Sequence, residues 1–167
     1  LYALPHIAGA SLNLIPESAG FEPDEVLAAL KHNMKVSFFA APTMVTRLLA
    51  APQIGSADLR NLKTIVYGGA PMYLADGLRA IEVFGPRLFN LFGQGESPMT
   101  ITGLPQAMHA DRAHPRFEER LASCGVPRTG VEVRGVDEED RDVPPDEVGE
   151  IITRSDCVMR GYWENPE

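Results

Sequence analysis

The chain is poor in cysteine, tryptophan and basic charge, and it has no long apolar run. Its two cysteines, Cys124 and Cys157, form no CxxC pair, so neither a disulfide framework nor a cysteine-rich metal site is expected. That usage fits a reducing compartment and predicts a cytoplasmic protein. The 15 Lys and Arg residues are outnumbered by 23 Asp and Glu, for a net charge of −8. A nucleic-acid backbone needs clustered cations, so no nucleic-acid partner is expected. No apolar stretch is long enough to span a bilayer, and no signal-peptide pattern is present. His109 and His114 come without a carboxylate or cysteine at fixed spacing, which argues against a metal set. The acidic run from Asp137 to Asp142 lacks the glycine and glutamate spacing of a calcium loop and reads as a solvated turn. There is no internal repeat.

What is present suits a globular α/β layer. Apolar residues make up 44% of the 167 positions, enough for a core in one domain or in a piece of a larger one. The chain opens on Leu1 and stops at Glu167 without a capping pattern, and both ends read as cut. Residues 1–10 suit the end of a helix, with His6 packed among apolar neighbours. The mostly apolar residues 11–15 suit a buried strand. Residues 21–33 read as a helix: Pro23 lies in the first turn, Asp24 and Glu25 follow, Val26, Leu27 and Leu30 share a face, and Lys31 and His32 end it. Residues 35–41 then read as a strand, and a helix starting at Pro42 ends at Pro52. A third strand, 63–67, runs into Gly68-Gly69-Ala70-Pro71. A helix over 73–84 and a strand over 87–92 complete the alternation.

Short apolar strands alternating with helices predict a parallel sheet with helices on both faces, a flavodoxin-like arrangement. The polar residues 107–120 read as a surface insertion. Strands over 126–136 and 147–154 make a β-rich C-terminal part. The expected division is therefore 1–106, 107–120 and 121–167.

In a sheet of this kind ligands bind beyond the carboxyl ends of the strands. Two glycine-rich segments occupy that position, 68–71 and 93–96. The second belongs to the stretch Asn-Leu-Phe-Gly-Gln-Gly-Glu-Ser-Pro-Met-Thr-Ile-Thr over 90–102. Gly93 and Gly95 would let a ligand approach the backbone, and Pro98 limits regular structure after them. Asn90, Phe92 and Glu96 supply an amide, an aromatic face and a hard carboxylate. An ordinary strand and turn would look the same.

Several segments together resemble a known family. Tyr67-Gly68-Gly69-Ala70-Pro71-Met72 resembles the adenine loop of the adenylate-forming enzymes, which include acyl-CoA synthetases and adenylation domains. Phe92-Gly93-Gln94-Gly95-Glu96 resembles their Tyr-Gly-x-Thr-Glu motif. Gly149-Glu150-Ile151-Ile152-Thr153-Arg154, then Val158-Met159-Arg160-Gly161-Tyr162-Trp163 and Pro166-Glu167, resembles a third shared segment. The resemblance spans nearly the whole chain. It implies a large-domain fragment of an acid–CoA ligase that joins a carboxylic acid to ATP's α-phosphate and then passes the acyl group to coenzyme A. By the same resemblance, Gly69, Ala70 and Pro71 pack against adenine, Asn90 bonds its exocyclic amine and Phe92 stacks on the ring. Gln94 and Gly95 continue the nucleotide site, Glu96 holds Mg²⁺, and Phe21, Gly93, Met99 and Thr100 border the acyl pocket.

Two departures stand out: Gly95 replaces the usual threonine, removing a hydroxyl donor, and Phe92 replaces the usual tyrosine. The Gln-Gly-Glu version favours a ligase over a peptide-synthetase adenylation domain. A Ser/Thr/Gly-rich phosphate loop with its lysine is absent from the sequence, as is the family's C-terminal catalytic lysine. The expected partners are a small carboxylic acid, ATP and CoA, and a homo-oligomer is compatible with the sequence. A noncatalytic flavodoxin-like nucleotide or flavin module, which predicts an early phosphate loop, and a ligand-free interaction domain stay open as alternatives.

Overall fold

The structure is a computed structural model, and it describes residue 9 and residues 11–165. The expected helix end near His6 and the last motif residues, Pro166 and Glu167, lie outside the described residues. Helix α1 (Pro23–His32) carries Pro23, Asp24 and Glu25 in its first turn and Lys31 and His32 in its last, and each charge complements the nearer end of the helix dipole. Strand β1 (Val36–Ala40) follows. Helix α2 (Pro42–Leu49) starts on its proline and buries Val45 and Leu48. Strand β2 (Leu62–Gly68), helix α3 (Leu74–Phe84) and strand β3 (Leu88–Gln94) repeat the unit.

β1, β2 and β3 are parallel neighbours, with Ala40 opposite Tyr67 and Tyr67 opposite Asn90. Side chains from these strands and from α1, α2 and α3 meet in one core that includes Leu30, Leu48, Ile65, Tyr67, Ile81, Phe84 and Leu88. The alternation legible in the sequence is thus the α/β architecture observed, with a five-strand sheet flanked by helices.

The sheet is mixed rather than wholly parallel. Strand β4 (Ser97–Leu104) returns antiparallel beside β3, and the short β5 (Val126–Pro127) pairs antiparallel beyond it. A two-residue connection, Gly95-Glu96, joins β3 to β4, and a turn that short can link only antiparallel strands. Phe92 faces Thr102 and Gln94 faces Ser97, so residues 98–101 stand against Gly93 alone. This wide bulge holds Pro98, which needs no ladder partner there, and Met99 in the left-handed region with φ 58°. The same bulge explains Gly93: a Cβ there would lie 2.2 Å from the Met99 nitrogen and 2.5 Å from the Ser97 oxygen.

Two further expectations change. Residues 11–15 form no strand; Leu12 and Ile15 are exposed, and the segment pairs with no described strand. An apolar run without a sheet edge to join has no ladder for its backbone. Residues 107–120, which read as a polar surface insertion, fall largely within helices α4 (Gln106–Ala110) and α5 (Phe117–Leu121). These bury His109 completely and insert Leu121 into the core. One buried side chain per short helix is too sparse a pattern for periodicity to detect.

Strands β6 (Glu132–Val136) and β7 (Glu150–Arg154) form a separate antiparallel pair. The acidic run between them is a turn around Asp137, whose carboxylate accepts bonds from the amides of Glu139 and Arg141 and from the Arg141 guanidinium. No helix among the described residues is long and apolar enough to cross a membrane.

Candidate functional site

A cleft of about 380 Å³ opens at the carboxyl ends of β2 and β3. One wall is the loop after β2, with Gly69, Ala70, Pro71 and Met72. The floor is Tyr67 with Asn90, Leu91, Phe92 and Gly93 of β3. Leu121, Ala122, Ser123 and Cys124 complete the lining. Each part has a local cause. Gly68 is required by packing, because a Cβ would lie 2.2 Å from the Leu91 carbonyl oxygen. Gly69 turns the chain at φ +85°, a conformation that glycine takes without steric cost. Next to Cys124, Gly125 at φ +88° brings the chain so close to β4 that a Cβ would meet the Gly103 carbonyl at 2.1 Å. Thr102 fixes the same approach by donating to the Cys124 carbonyl at 2.6 Å.

Asn90 is 8% exposed, and its Nδ2 donates weakly to the Tyr67 carbonyl at 3.4 Å. Its Oδ1 is the one buried side-chain polar atom among the described residues without a hydrogen-bond partner. Leaving a buried acceptor unpaired costs roughly 1–3 kcal/mol, so the amide is held here at an expense to the fold. Behind it lies a second polar element. The Tyr67 hydroxyl is 3.1 Å from His109 Nε2, and His109 Nδ1 is 3.1 Å from the Pro105 carbonyl. A carbonyl can only accept, so Nδ1 carries the proton and Nε2 accepts from the phenol. Burial pushes the Tyr67 phenol upward and the His109 imidazole downward, so both are neutral near neutrality. The pair places an uncharged, hydrogen-bonded tyrosine in the floor of the cleft.

Glu96 sits in the β3–β4 turn. Its carboxylate accepts a hydrogen bond from the Tyr162 hydroxyl, and its backbone carbonyl accepts from the Met159 amide at 2.7 Å. The bond from Tyr162, followed by a bond from Glu96's own amide, holds the carboxyl below the usual range. No group of three or more His, Cys, Asp or Glu capable of holding a metal occurs among the described residues.

The structure therefore gathers Gly69, Ala70, Pro71, Asn90, Phe92 and Gly93 into one cleft. Gln94, Gly95 and Glu96 continue from it into the hairpin turn. Met99 and Thr100 lie in the bulge opposite Gly93, where Thr100 Oγ1 is 2.7 Å from Ser97 Oγ. Phe21 does not line the cleft; it lies under the Arg47 guanidinium at 5.7 Å and packs on the core. Sequence reasoning missed Leu121 to Cys124, because their place depends on Gly125 meeting β4. It also missed the link from Tyr162 to Glu96, which spans 66 residues.

A family model described as AMP-binding enzyme matches residues 2–163. The chain belongs to the AMP-binding enzyme family. It is 35% identical over 152 residues to a medium/long-chain-fatty-acid–CoA ligase of Mycobacterium tuberculosis, an alignment covering 89% of this chain and 25% of that protein. It is also 35% identical over 156 residues to a feruloyl-CoA synthase of an Amycolatopsis species, covering 89% of this chain and 28% of that protein. Among solved structures, an anthranilate CoA ligase in complex with anthranoyl-AMP superposes with a TM-score of 0.77 at 26% identity, covering 94% of this chain and 28% of that one. The chain thus spans about a quarter of the length of the curated relatives it matches. The family membership agrees with the resemblance carried by 67–72, 92–96 and 149–163.

Proposed function

We propose that this chain is the nucleotide-binding segment of an ATP-dependent acid–CoA ligase, which activates a carboxylic acid as its acyl-adenylate and passes the acyl group to coenzyme A. The observation that carries the reading is the unpartnered Asn90 Oδ1 in a cleft lined by Phe92 and the 69–71 loop. The exocyclic amine of adenine is the donor that this oxygen lacks, and rotation of the terminal amide about its soft torsion presents it. Phe92 stacks on the base, while Gly69, Ala70 and Pro71 pack against its other side. The anthranilate CoA ligase that superposes on this chain holds an acyl-adenylate, anthranoyl-AMP, which supports the same ligand class.

In the reaction, a carboxylate oxygen attacks the α-phosphorus, and the bond to the pyrophosphate oxygen breaks. The thiol sulfur of CoA then takes the acyl carbon, and AMP leaves. Glu96 fits a Mg²⁺ that is bound mostly by phosphate oxygens and water, because such an ion needs only one or two protein carboxylates. Its second oxygen takes no hydrogen bond from another described side chain. Mg²⁺, when bound, would neutralise the charge developing on the phosphates. Gln94 and Gly95 would present backbone groups along the same path, and Gly93, Met99, Thr100 and Phe21 would border the acyl pocket. The reading divides the chain into an adenylate-binding part over 1–106, a connecting part over 107–120 and a β-rich part over 121–167. It also takes the cytoplasm as the place of action.

The test is a panel of carboxylic acids offered to the full-length protein with ATP, Mg²⁺ and CoA. Acid-dependent pyrophosphate exchange followed by thioester release is expected for at least one class. Flavin binding in place of exchange would overturn the reading. The 167-residue chain alone is expected to give no exchange above background, since it spans only about a quarter of its relatives. Measurable exchange by the purified fragment would require a phosphate site not yet located.

A further inference from the structure

Glu96 has little to hold it from its own side of the fold. It ends a two-residue turn, and its neighbour Gly95 has nothing within 4 Å of where a Cβ would stand. A glutamate in such a place samples many rotamers, and each must be frozen before it can serve a ligand. Contacts from residues 157–165 supply the restraint. That segment leaves Tyr162 and Trp163 largely exposed. Among the described residues, its hydrogen bonds to the remainder of the chain beyond its own turn end on Glu96 alone: Met159 N–H to the main-chain carbonyl and Tyr162 O–H to the side chain. Backbone and carboxylate of one residue are thus gripped together.

We infer that Tyr162 is a positioning residue, whose phenol orients the Glu96 carboxylate toward the cation that accompanies the nucleotide phosphates. The inference rests on the ligase reading above. The choice of donor matters chemically. A carboxylate offers about four acceptor sites; the phenol occupies one on Oε1 and the residue's own amide takes one more, which leaves acceptor sites for a cation. A lysine or arginine could also orient Glu96, but it would set a positive charge beside the incoming cation and weaken it. A neutral hydroxyl orients the acid and leaves its charge to the metal.

The experiment uses the full-length protein. Tyr162→Phe keeps the ring and removes only the hydroxyl. The expected result is a fall of about tenfold in the kcat of acid-dependent pyrophosphate exchange, the size of one hydrogen bond to a charged group, with the KM for the acid unchanged. Mn²⁺ binding in the presence of ATP and without acid, read by electron paramagnetic resonance, should weaken by a similar factor. Thioester formation from supplied acyl-adenylate should keep its rate. Adding Tyr162→Phe to Glu96→Gln should cause no further loss, because the two residues act as one unit. Normal Mn²⁺ binding and exchange in Tyr162→Phe, alongside an impaired Glu96→Gln, would overturn this inference and leave the ligase reading intact. Equal losses in both half-reactions would also overturn it, marking the tyrosine as merely structural. If the unmutated protein exchanges with no acid, the ligase reading itself fails before any variant is compared.

Discussion

The α/β layer and the β6–β7 pair are built on different physics. In the first, Phe84, Ile65, Leu48 and Leu88 are fully enclosed by one another and by both elements of each crossover. In the second, β7 has no buried residue and Val136 is the one buried residue of β6. Its side-chain links are largely exposed ion pairs, Arg154 with Glu132, Arg134 with Asp142 and Arg141 with Asp137, and one bond from the Thr153 hydroxyl to the Glu132 carbonyl. Buried apolar area stabilises the first part, whereas exposed ion pairs contribute little, and a two-stranded pair is marginal by itself. The adenine cleft lies on the first part, while residues 157–165, which reach Glu96, follow the second. A cleft built on a buried core and an exposed arm therefore share one site.

The largest break in this comparison should come from the core. Phe84→Ala is expected to cost about 3–5 kcal/mol, read as a fall in the urea midpoint of the full-length protein, while Ile152→Ala in β7 should stay within about 1 kcal/mol. Similar losses at both positions would mean that the hairpin is buried against something more.

The bulge offers a sharper pair. Gly93→Ala places a methyl inside the backbone of Ser97 and Met99, so a loss of roughly 2–4 kcal/mol and a shifted β3–β4 register are expected. Gly95→Ala meets open space and needs no positive φ; it should stay within about 0.5 kcal/mol. Amide exchange along β4 would distinguish them.

A smaller effect concerns the floor of the cleft. Burial lowers the His109 pKa in the folded state, so its contribution is full above the ordinary histidine value and is lost as pH falls toward the folded one. Relative to His109→Leu, the unmutated protein should lose stability more steeply on acidification below that value, with a slope no greater than one proton's worth. Parallel pH profiles would show that the imidazole is not held neutral by the Tyr67 and Pro105 contacts. The smallest effect is expected at the hairpin surface, where Arg134→Ala should leave the urea midpoint within experimental scatter.

Much of this molecule was determined by local pattern. Prolines, acidic first turns and apolar faces marked α1, α2 and α3, and short apolar runs marked β1, β2 and β3, because helix and strand periods act within a few residues. The 68–71 and 93–96 segments stood at strand ends for the same reason, so Gly69, Ala70, Pro71 and Gly93 of the cleft could be named from order alone. Tertiary structure decided the rest. The apolar residues 11–15 could not announce that no strand would be there to pair with them. The reversal at Gly95-Glu96 produced β4, a strand that no local pattern marked, and whether Gly93 serves a ligand or a bulge depended on a strand passing over it. His109 became buried through a tyrosine 42 positions away, and Glu96 met Tyr162 across 66. Each of these rests on a contact between distant parts of the chain, whose formation depends on the summed packing of the fold and leaves no periodic trace in the residues themselves.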